Sequence, residues 1–311
     1  MSNTGKWILG IGLSLLGLGM LAVAFGFFGL ITTLSTSQSG VYDETVGSSS
    51  GSGTVAVIDL EEPILESEEI VRQFRKYQNR NSVKAIVLRL NSPGGAVAPS
   101  QEIFQEVKRT RDLGKPVVVS MGSIAASGAY YIAAGASRIV ANPGTITGSI
   151  GVISEFTSFK GLMDKLGIEN TTVKSGKYKD VGNPSRQMNE VDIAQIQALI
   201  DDVYDQFVED VATARGLDRD SVRILAEGRI YTGRQAYRNG LVDTIGTFQT
   251  AVTIAGVLGG IVGEPHITRE RRRESFIERM MGSRAVSLMD DMQKRLRTSA
   301  PLEYRMSYSQ Q

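Results

Sequence analysis

From residue 54 onward, short apolar runs alternate with amphipathic stretches. TVAVIDL (54–60), KAIVLRL (84–90) and KPVVVSM (115–121) are rich in β-branched residues and predict buried strands. Between them, SEEIVRQFRKYQ (67–78) and PSQEIFQEVKRTRDLG (99–114) predict helices. The second puts Ile103, Phe104, Val107 and Thr110 on one side and its charges on the other. Strands alternating with helices indicate an α/β fold around a largely parallel, buried sheet. RIVA (138–141), ITGSIGVIS (146–154) and IENTTV (168–173) predict further strands. After residue 190, Val191, Ala194, Ile196, Ile200, Val203, Phe207 and Val211 recur near a helical period, and Gly216 is placed to end that helix. DRDSVRILAEG, GRQAYRNG and FQTAVTIAGVLGG predict shorter helices. There is no internal repeat.

The two ends break this pattern. Residues 7–34 contain no charged side chain. A helix of about 20 apolar residues already spans a bilayer core, so residues 1–34 read as a short N-terminus and a transmembrane anchor. Lys6 precedes the stretch while Asp43 and Glu44 follow it, which puts the N-terminus in the cytoplasm and the remainder outside. The competing reading is a cleaved signal peptide with Ala22-Val23-Ala24 at its cleavage site. The uncharged, mostly apolar residues that continue past Ala24 favour the anchor. Residues 35–53, rich in Ser and Gly, read as a flexible tether with a reach of roughly 25 Å. Residues 54–263 form the globular domain. Residues 264–311 carry the run RERRR, several methionines and a polar end, and read as a peripheral helix and a loose tail.

Composition narrows the chemistry. A net charge of +1 gives no basic excess for a nucleic-acid surface. Cysteine is absent, which excludes disulfides, thiolate metal sites and a cysteine nucleophile. The single histidine, His266, rules out a histidine-rich metal cluster, and it reads as a surface residue. A Ser-His-Asp triad would have to use it.

Four loops could carry chemistry. In NSPGGAVAPS (91–100), Pro93 stiffens a strand-to-helix turn, and Gly94 and Gly95 let a substrate approach backbone N–H groups at the mouth of a parallel sheet. Such N–H pairs can hold an oxyanion; the plainer reading is an ordinary turn. In MGSIAASGAYYIAAG (121–135), Ser127 stands at a helix start beside Gly128. It is either a nucleophile favoured by the helix dipole or an N-cap. TITGSIGV (145–152) brings Ser149 into a tight Gly/Ser strand, which close strand packing would also explain. VKSGKYKDVGNPSR (173–186) holds Lys174, Lys177 and Lys179, either a solvated basic loop or the source of a general base. A lysine base must be neutral, so its pKa must fall from the ordinary ~10.4. Together the loops supply each part of an acyl-transfer site, with a lysine in place of histidine.

These residues carry a resemblance. NSPGG, GSIAASGAYYIAAGASRIVANPGTITGSIGV, SGKYKDVGNPSR and EGRIYTGRQAYRNGLVD, spread over roughly 54–260, resemble the bacterial signal peptide peptidases of the short Ser/Lys type. The N-terminal anchor fits the same family. NSPGG is shared with caseinolytic proteases and enoyl-CoA hydratases, so the resemblance implies a spiral of ββα units, the ClpP/crotonase-like fold. It implies Ser127 as nucleophile and Lys179, rather than Lys174 or Lys177, as general base. It further implies that Ser149 holds the lysine amine and that the N–H groups of Gly95 and Gly128 form the oxyanion hole. Ala129 stands where many relatives have glycine.

The resemblance implies no metal or cofactor. It implies apolar peptides left over from signal peptides as substrates, and a membrane-bound homo-oligomeric ring in which Lys179 of one protomer serves Ser127 of its neighbour. The loose tail is further expected to reach an active site and be trimmed. Two rivals remain. A crotonase-type acyl-CoA enzyme would use the same glycines on an enolate, but it leaves the anchor and the Ser127–Lys179 pairing without a purpose. A non-catalytic membrane-tethered scaffold would have a degenerate site, yet every expected catalytic residue type is present.

Overall fold

The computed structural model describes Gly19 and residues 41–46, 51–272 and 303–305. The chain divides into two compact units. Thr45–Arg269 with Ala300–Gln311 holds the sheet and the candidate site. Met1–Glu44 with Glu270–Ser299 is the other, where Arg271 pairs with Glu44 at 3.2 Å. The expected anchor and the expected C-terminal helix lie outside the described residues. Among the described residues no helix is long and apolar enough to cross a membrane. Within the stretch expected to be a tether, Val41–Val46 forms a strand, β1. Its Val, Tyr and Thr residues suit a pleated backbone.

The sheet is built from the predicted runs. β2 (Thr54–Glu61), β3 (Val83–Ser92), β5 (Val117–Ala126) and β6 (Arg138–Ala141) lie side by side and parallel. β9 (Thr244–Ile245) extends one side, and β10 (His266–Arg272) pairs parallel with β2 on the other. The short β4 (Gly94–Ala96) leaves this plane after β3. β7 (Ile146–Gly148) pairs parallel with the far end of β5 and antiparallel with β8 (Ile230–Thr232).

Side chains alternate across the sheet, as a period of two requires. Val55, Val57, Ala85, Val87, Val118 and Val140 meet Ala251, Val252 and Ala255 of α8 (Phe248–Leu258) on one face. Ile58, Leu60, Ile86, Leu88, Val117 and Val119 face the opposite way. There they pack on α1 (Glu68–Gln78), α2 (Val97–Asp112) and α3 (Gly128–Ala134). Each fully buried side chain of this size contributes roughly 1.5–3 kcal/mol, so the two-sided burial makes this sheet the rigid base of the molecule. Ile103, Phe104, Val107 and Thr110 of α2 are all buried, as their spacing predicts.

Three expectations change. ITGSIGVIS stops being strand at Gly148, because Ser149 takes a positive φ of 50° and turns the chain. IENTTV forms no strand; all six residues are exposed and no neighbouring strand receives them. Residues 266–272, expected within the loose terminal region, are instead ordered by the parallel ladder with β2. The long helix α5 (Glu190–Arg215) follows the short α4 (Lys160–Lys165) and ends at Gly216 in the left-handed conformation, φ 63°. Only its second half packs, through Val203, Phe207, Val208, Val211 and Ala212; Val191, Ile193 and Leu199 are exposed. α6 (Arg219–Leu225) and α7 (Gly233–Arg238) complete the domain.

Candidate active site

The site forms where β3 and β5 end. Their ladder pairs Leu90 with Met121 and then Ser92 with Ala125, so β5 carries extra residues opposite Asn91. The Asn91 carboxamide oxygen fills this bulge, accepting the N–H groups of Ser123 at 3.1 Å and Ile124 at 3.3 Å. From the other side, the hydroxyls of Thr145 and Thr147 donate to the carbonyls of Gly122 and Ala125 at 2.7 and 2.6 Å. A bulge held from both sides aims the next residue, Ser127.

Ser127 has φ 54° and ψ −116°, a conformation that costs a non-glycine residue roughly 1–3 kcal/mol. It is fixed by its N–H, which donates to the Gly148 carbonyl at 2.7 Å, and by its carbonyl, which accepts from Tyr131 N–H at 2.8 Å. The residue is 1% exposed, and its Oγ has no hydrogen-bond partner among the described residues. The N-cap reading therefore fails: Ser127 precedes α3, but its side chain makes no capping bond. A buried hydroxyl left free at a strained strand-to-helix corner has the geometry of a waiting nucleophile.

Ser149 arrives by register. Ala126 pairs with Gly148, so Ser127 and Ser149 leave adjacent parallel strands together. Gly148 needs its missing side chain, since a Cβ there would lie 2.6 Å from the Tyr231 ring. Ser149 N–H donates to the Arg229 carbonyl at 2.8 Å, which anchors the turn to the β8 side. Gly128 and Ala129 open α3 and are both buried, so alanine is accommodated at 129. α3 is seated by two tyrosines. Tyr130 OH donates to the Leu241 carbonyl at 3.1 Å, and burial pushes its phenol pKa well up. Tyr131 OH bonds Asp210, with its ring between Phe104 and Phe207.

Gly95 stands on β4, against which α3 lies. The Ile64 N–H donates to the Gly94 carbonyl at 2.9 Å, and Ala96 N–H donates to the Ile64 carbonyl at 2.7 Å. A Cβ on Gly95 would fall 2.1 Å from the Ile64 oxygen, so only glycine permits this approach. Strand alternation then turns the N–H and carbonyl of Gly95 to the opposite side. The Ser92 hydroxyl accepts Gly94 N–H at 3.2 Å and holds the turn. Asn91, Ser92, Thr145 and Thr147 were not singled out as site residues from sequence. Their signal was polar residues at the ends of otherwise buried strands.

The lysine loop is held separately. Arg186 clamps Asp180 at 2.8 Å and also binds Asp192, the acidic member of the capping box that starts α5. Lys174 binds Asp180 from the other side and donates to the Lys177 carbonyl at 3.1 Å. The Arg186 guanidinium first, and the Lys174 ammonium second, hold the Asp180 carboxyl well below the usual carboxylate range. Arg186 and the Asn189 N–H depress Asp192 likewise. Lys177 lies 4.8 Å over the Tyr178 ring. Lys179 is exposed, and its amine has no hydrogen-bond or ion-pair partner among the described residues. Thus Ser127, Ser149, Gly128 and the Gly95 strand gather at one end of the sheet, while Lys179 of the same chain bonds neither serine. His266 pairs with Thr54 at the start of β2, at the end of the sheet away from Ser127, so it cannot supply a triad base.

Residues 109–261 match Peptidase family S49, and residues 55–145 match Clp protease. The second match agrees with the ClpP/crotonase-like α/β architecture. A protein of Enterococcus faecium named as a candidate signal peptide peptidase SppA is 39% identical over 226 residues, 71% of this chain and 65% of that protein. Protease 4 of Haemophilus influenzae is 40% identical over 211 residues, covering 65% of this chain and 34% of its own length. A chloroplastic serine protease SPPA of Arabidopsis thaliana is 31% identical over 231 residues, 70% of this chain and 34% of that protein. The chain thus spans about two thirds or less of the relatives it matches. These matches support a serine protease of family S49.

Proposed function

We propose that this chain, which carries a peptidase family S49 domain, is a membrane-anchored serine endopeptidase that works through Ser127 and Lys179. One observation carries the reading. Ser127 is buried and strained, with a free hydroxyl, at the corner between β5 and α3. In the proposed reaction, neutral Lys179 takes the Ser127 proton, and the alkoxide attacks a peptide carbonyl. The N–H groups of Gly95 and Gly128 receive the oxyanion. The C–N bond breaks, the lysinium protonates the leaving amine, and water activated by Lys179 hydrolyses the ester. Ser149 steers the lysine amine. Neither a metal nor a cofactor takes part.

The lysine comes from a neighbour. Among the described residues the Ser127 hydroxyl has no partner and the Lys179 amine makes no hydrogen bond or ion pair, which supports a dyad completed by a second copy. The arm that bears Lys179 exposes Phe156, Phe159, Leu162, Leu166, Ile168 and Val173, apolar surface that a protomer would cover in a ring. Leftover signal peptides and similar apolar peptides are the proposed substrates, cut outside the cytoplasm by a domain tethered to the membrane. The Enterococcus faecium relative, which carries the name of a signal peptide peptidase, supports this substrate class.

Coexpression of Ser127→Ala and Lys179→Ala chains tests the reading. Each alone should be inactive on a fluorogenic apolar peptide. Random mixing in a symmetric ring joins an intact serine to an intact lysine at about a quarter of the sites, so about a quarter of wild-type activity should return. Mixed assemblies without activity would exclude sharing. A fully active Lys179→Ala homogeneous assembly would exclude this lysine as the base.

A further inference from the structure

Beside the two serines, the sheet presents apolar side chains to solvent instead of to the core. β7 and β8 pair Ile146 with Thr232, Thr147 with Tyr231 and Gly148 with Ile230. Thr147 is fully buried and Tyr231 packs against the core, so strand alternation turns Ile146, Ile230 and Thr232 outwards. Ile146 is 39% exposed and Ile230 is 55% exposed. The ribbon is pinned in this orientation. Ser149 N–H donates to the Arg229 carbonyl at 2.8 Å, Gly228 N–H donates to the Ile150 carbonyl at 3.0 Å, and the Tyr231 hydroxyl donates to the Leu225 carbonyl at 3.1 Å. Ile230 thus follows directly on the residue that holds Ser149, and Gly148 opposite it accepts the Ser127 N–H. A single exposed isoleucine needs no explanation, but two on one face beside a candidate nucleophile form a surface that a ligand can cover.

Chemistry gives the direction from which a peptide would cover it. Under the proposed function the oxyanion sits at Gly95 and Gly128, on the β4 side of Ser127. The lysinium that protonates the leaving amine sits by Ser149, on the β7 side. The acyl half of a peptide therefore lies towards β4, and the leaving half passes over β7 towards β8. We infer that Ile230, supported by Ile146, is the specificity surface for the leaving half, and that it takes an apolar side chain at the second residue after the scissile bond. The inference rests on the proposed function. Its register comes from distance. Neighbouring strands lie about 4.8 Å apart, so β8 is about 10 Å from β5, whose end Ser127 follows. An extended chain advances about 3.4 Å per residue, so the second residue past the bond lies about 7 Å on, within reach of an isoleucine side chain on β8. An apolar side chain there removes Ile230 from water, and a polar one does not. The site would then read an apolar stretch on both sides of the cut.

The test uses the full chain in detergent micelles and quenched peptides that share one apolar acyl half and vary the leaving half, with the cut bond located by mass. A methyl ester of the same acyl half, whose leaving group carries no residue, is the reference. Wild type is expected to cut the peptide with leucine at the second leaving position about tenfold faster in kcat/KM than the one with serine. In Ile230→Ser the rate on the leucine peptide, relative to the ester, should fall about tenfold. In Ile230→Lys the preference should turn from leucine to aspartate. A leucine preference at the first leaving position alone would overturn the register and with it the inference. No preference at either position, in an enzyme that cuts peptide and ester, would overturn the inference while leaving the proposed function standing. Equal losses on peptide and ester in Ile230→Ser would make the residue structural, and a change in assembly mass with those losses would give the surface to a neighbouring protomer; either result overturns the inference. A wild type that cuts neither peptide nor ester would overturn the proposed function as well.

Discussion

Ser127 holds two sources of strain, and both can be measured as stability. Its φ of 54° with ψ −116° favours glycine over any residue with a Cβ, and its hydroxyl is buried without a partner among the described residues. A buried hydroxyl of this kind costs about 1–3 kcal/mol, and the backbone conformation costs about as much again. Ser127→Ala removes the first cost only. Taking the lower end, because the alanine leaves a small void, the gain is about 1 kcal/mol. Ser127→Gly removes both, less about 0.4–1 kcal/mol for the freer unfolded chain, so its gain is about 2 kcal/mol. For a domain of this size each kcal/mol moves Tm by about 2–4 °C.

The expected order of Tm is therefore Gly above Ala above Ser, with the glycine variant about 4–8 °C above the serine form. The assay is thermal unfolding in the Lys179→Ala background, which removes any hydrogen bond from a neighbouring lysine to the serine. In the Lys179-intact background the alanine gain should shrink under the proposed shared dyad, in which a neighbour's lysine would bond the hydroxyl. Peptide cleavage should be lost in both substitutions. Serine at the top of the order in the Lys179→Ala background would refute the reasoning, since the site would then store no strain.

Gly95→Ala should lower stability by about 2–3 kcal/mol in denaturant unfolding and abolish cleavage, because the new Cβ meets the Ile64 carbonyl at 2.1 Å; unchanged stability would mean that β4 does not need this approach. The Asp180 and Asp192 carboxyls sit below their ordinary values when folded, so the ordering they give the lysine loop is present above the ordinary carboxylate pKa of about 4 and is lost as pH falls through their lower folded values. Hydrogen exchange in residues 174–186, corrected for the intrinsic rate, should stay flat from pH 7 to about 5 and accelerate further down. Arg186→Ala should give the accelerated pattern already at neutral pH and slow cleavage about 10–100-fold by misplacing Lys179, the proposed base; a flat profile in acid, or an Arg186→Ala enzyme of full activity, would refute the clamp.

The strands and helices of the sheet were legible because each obeys one period: Val55 and Val57 against Ile58 and Leu60 in β2, or Ile103, Phe104 and Val107 in α2. Ser127, Ser149, Gly95 and Gly128 were legible because small and polar residues interrupt buried runs at the ends of strands. What local pattern could not carry is pairing across the chain. IENTTV has strand composition but no sheet edge to join, whereas HITRERR, with four charged residues in seven, becomes a strand because β2 offers it a parallel edge. The N-cap and nucleophile readings of Ser127 share one sequence signature, and only φ and the orphaned Oγ separate them.

A sheet edge that binds extended peptide must remain unpaired in the fold, and exposed edges invite any strand that can reach them. β4 meets this with Ile64 on one side and the chain's own tail on the other. Lys179, the proposed base, lies on a segment whose Phe156, Phe159, Leu162, Leu166, Ile168 and Val173 are exposed among the described residues. Under the proposed function, an isolated protomer would have an incomplete dyad, which restrains cleavage. Under the proposed function, assembly would remove that restraint by delivering the lysine. Under that proposal, peptide cleavage should rise more steeply than linearly with protomer concentration at low concentration and should vanish in any variant that assembles but lacks Lys179; a strictly linear dependence would refute the shared lysine.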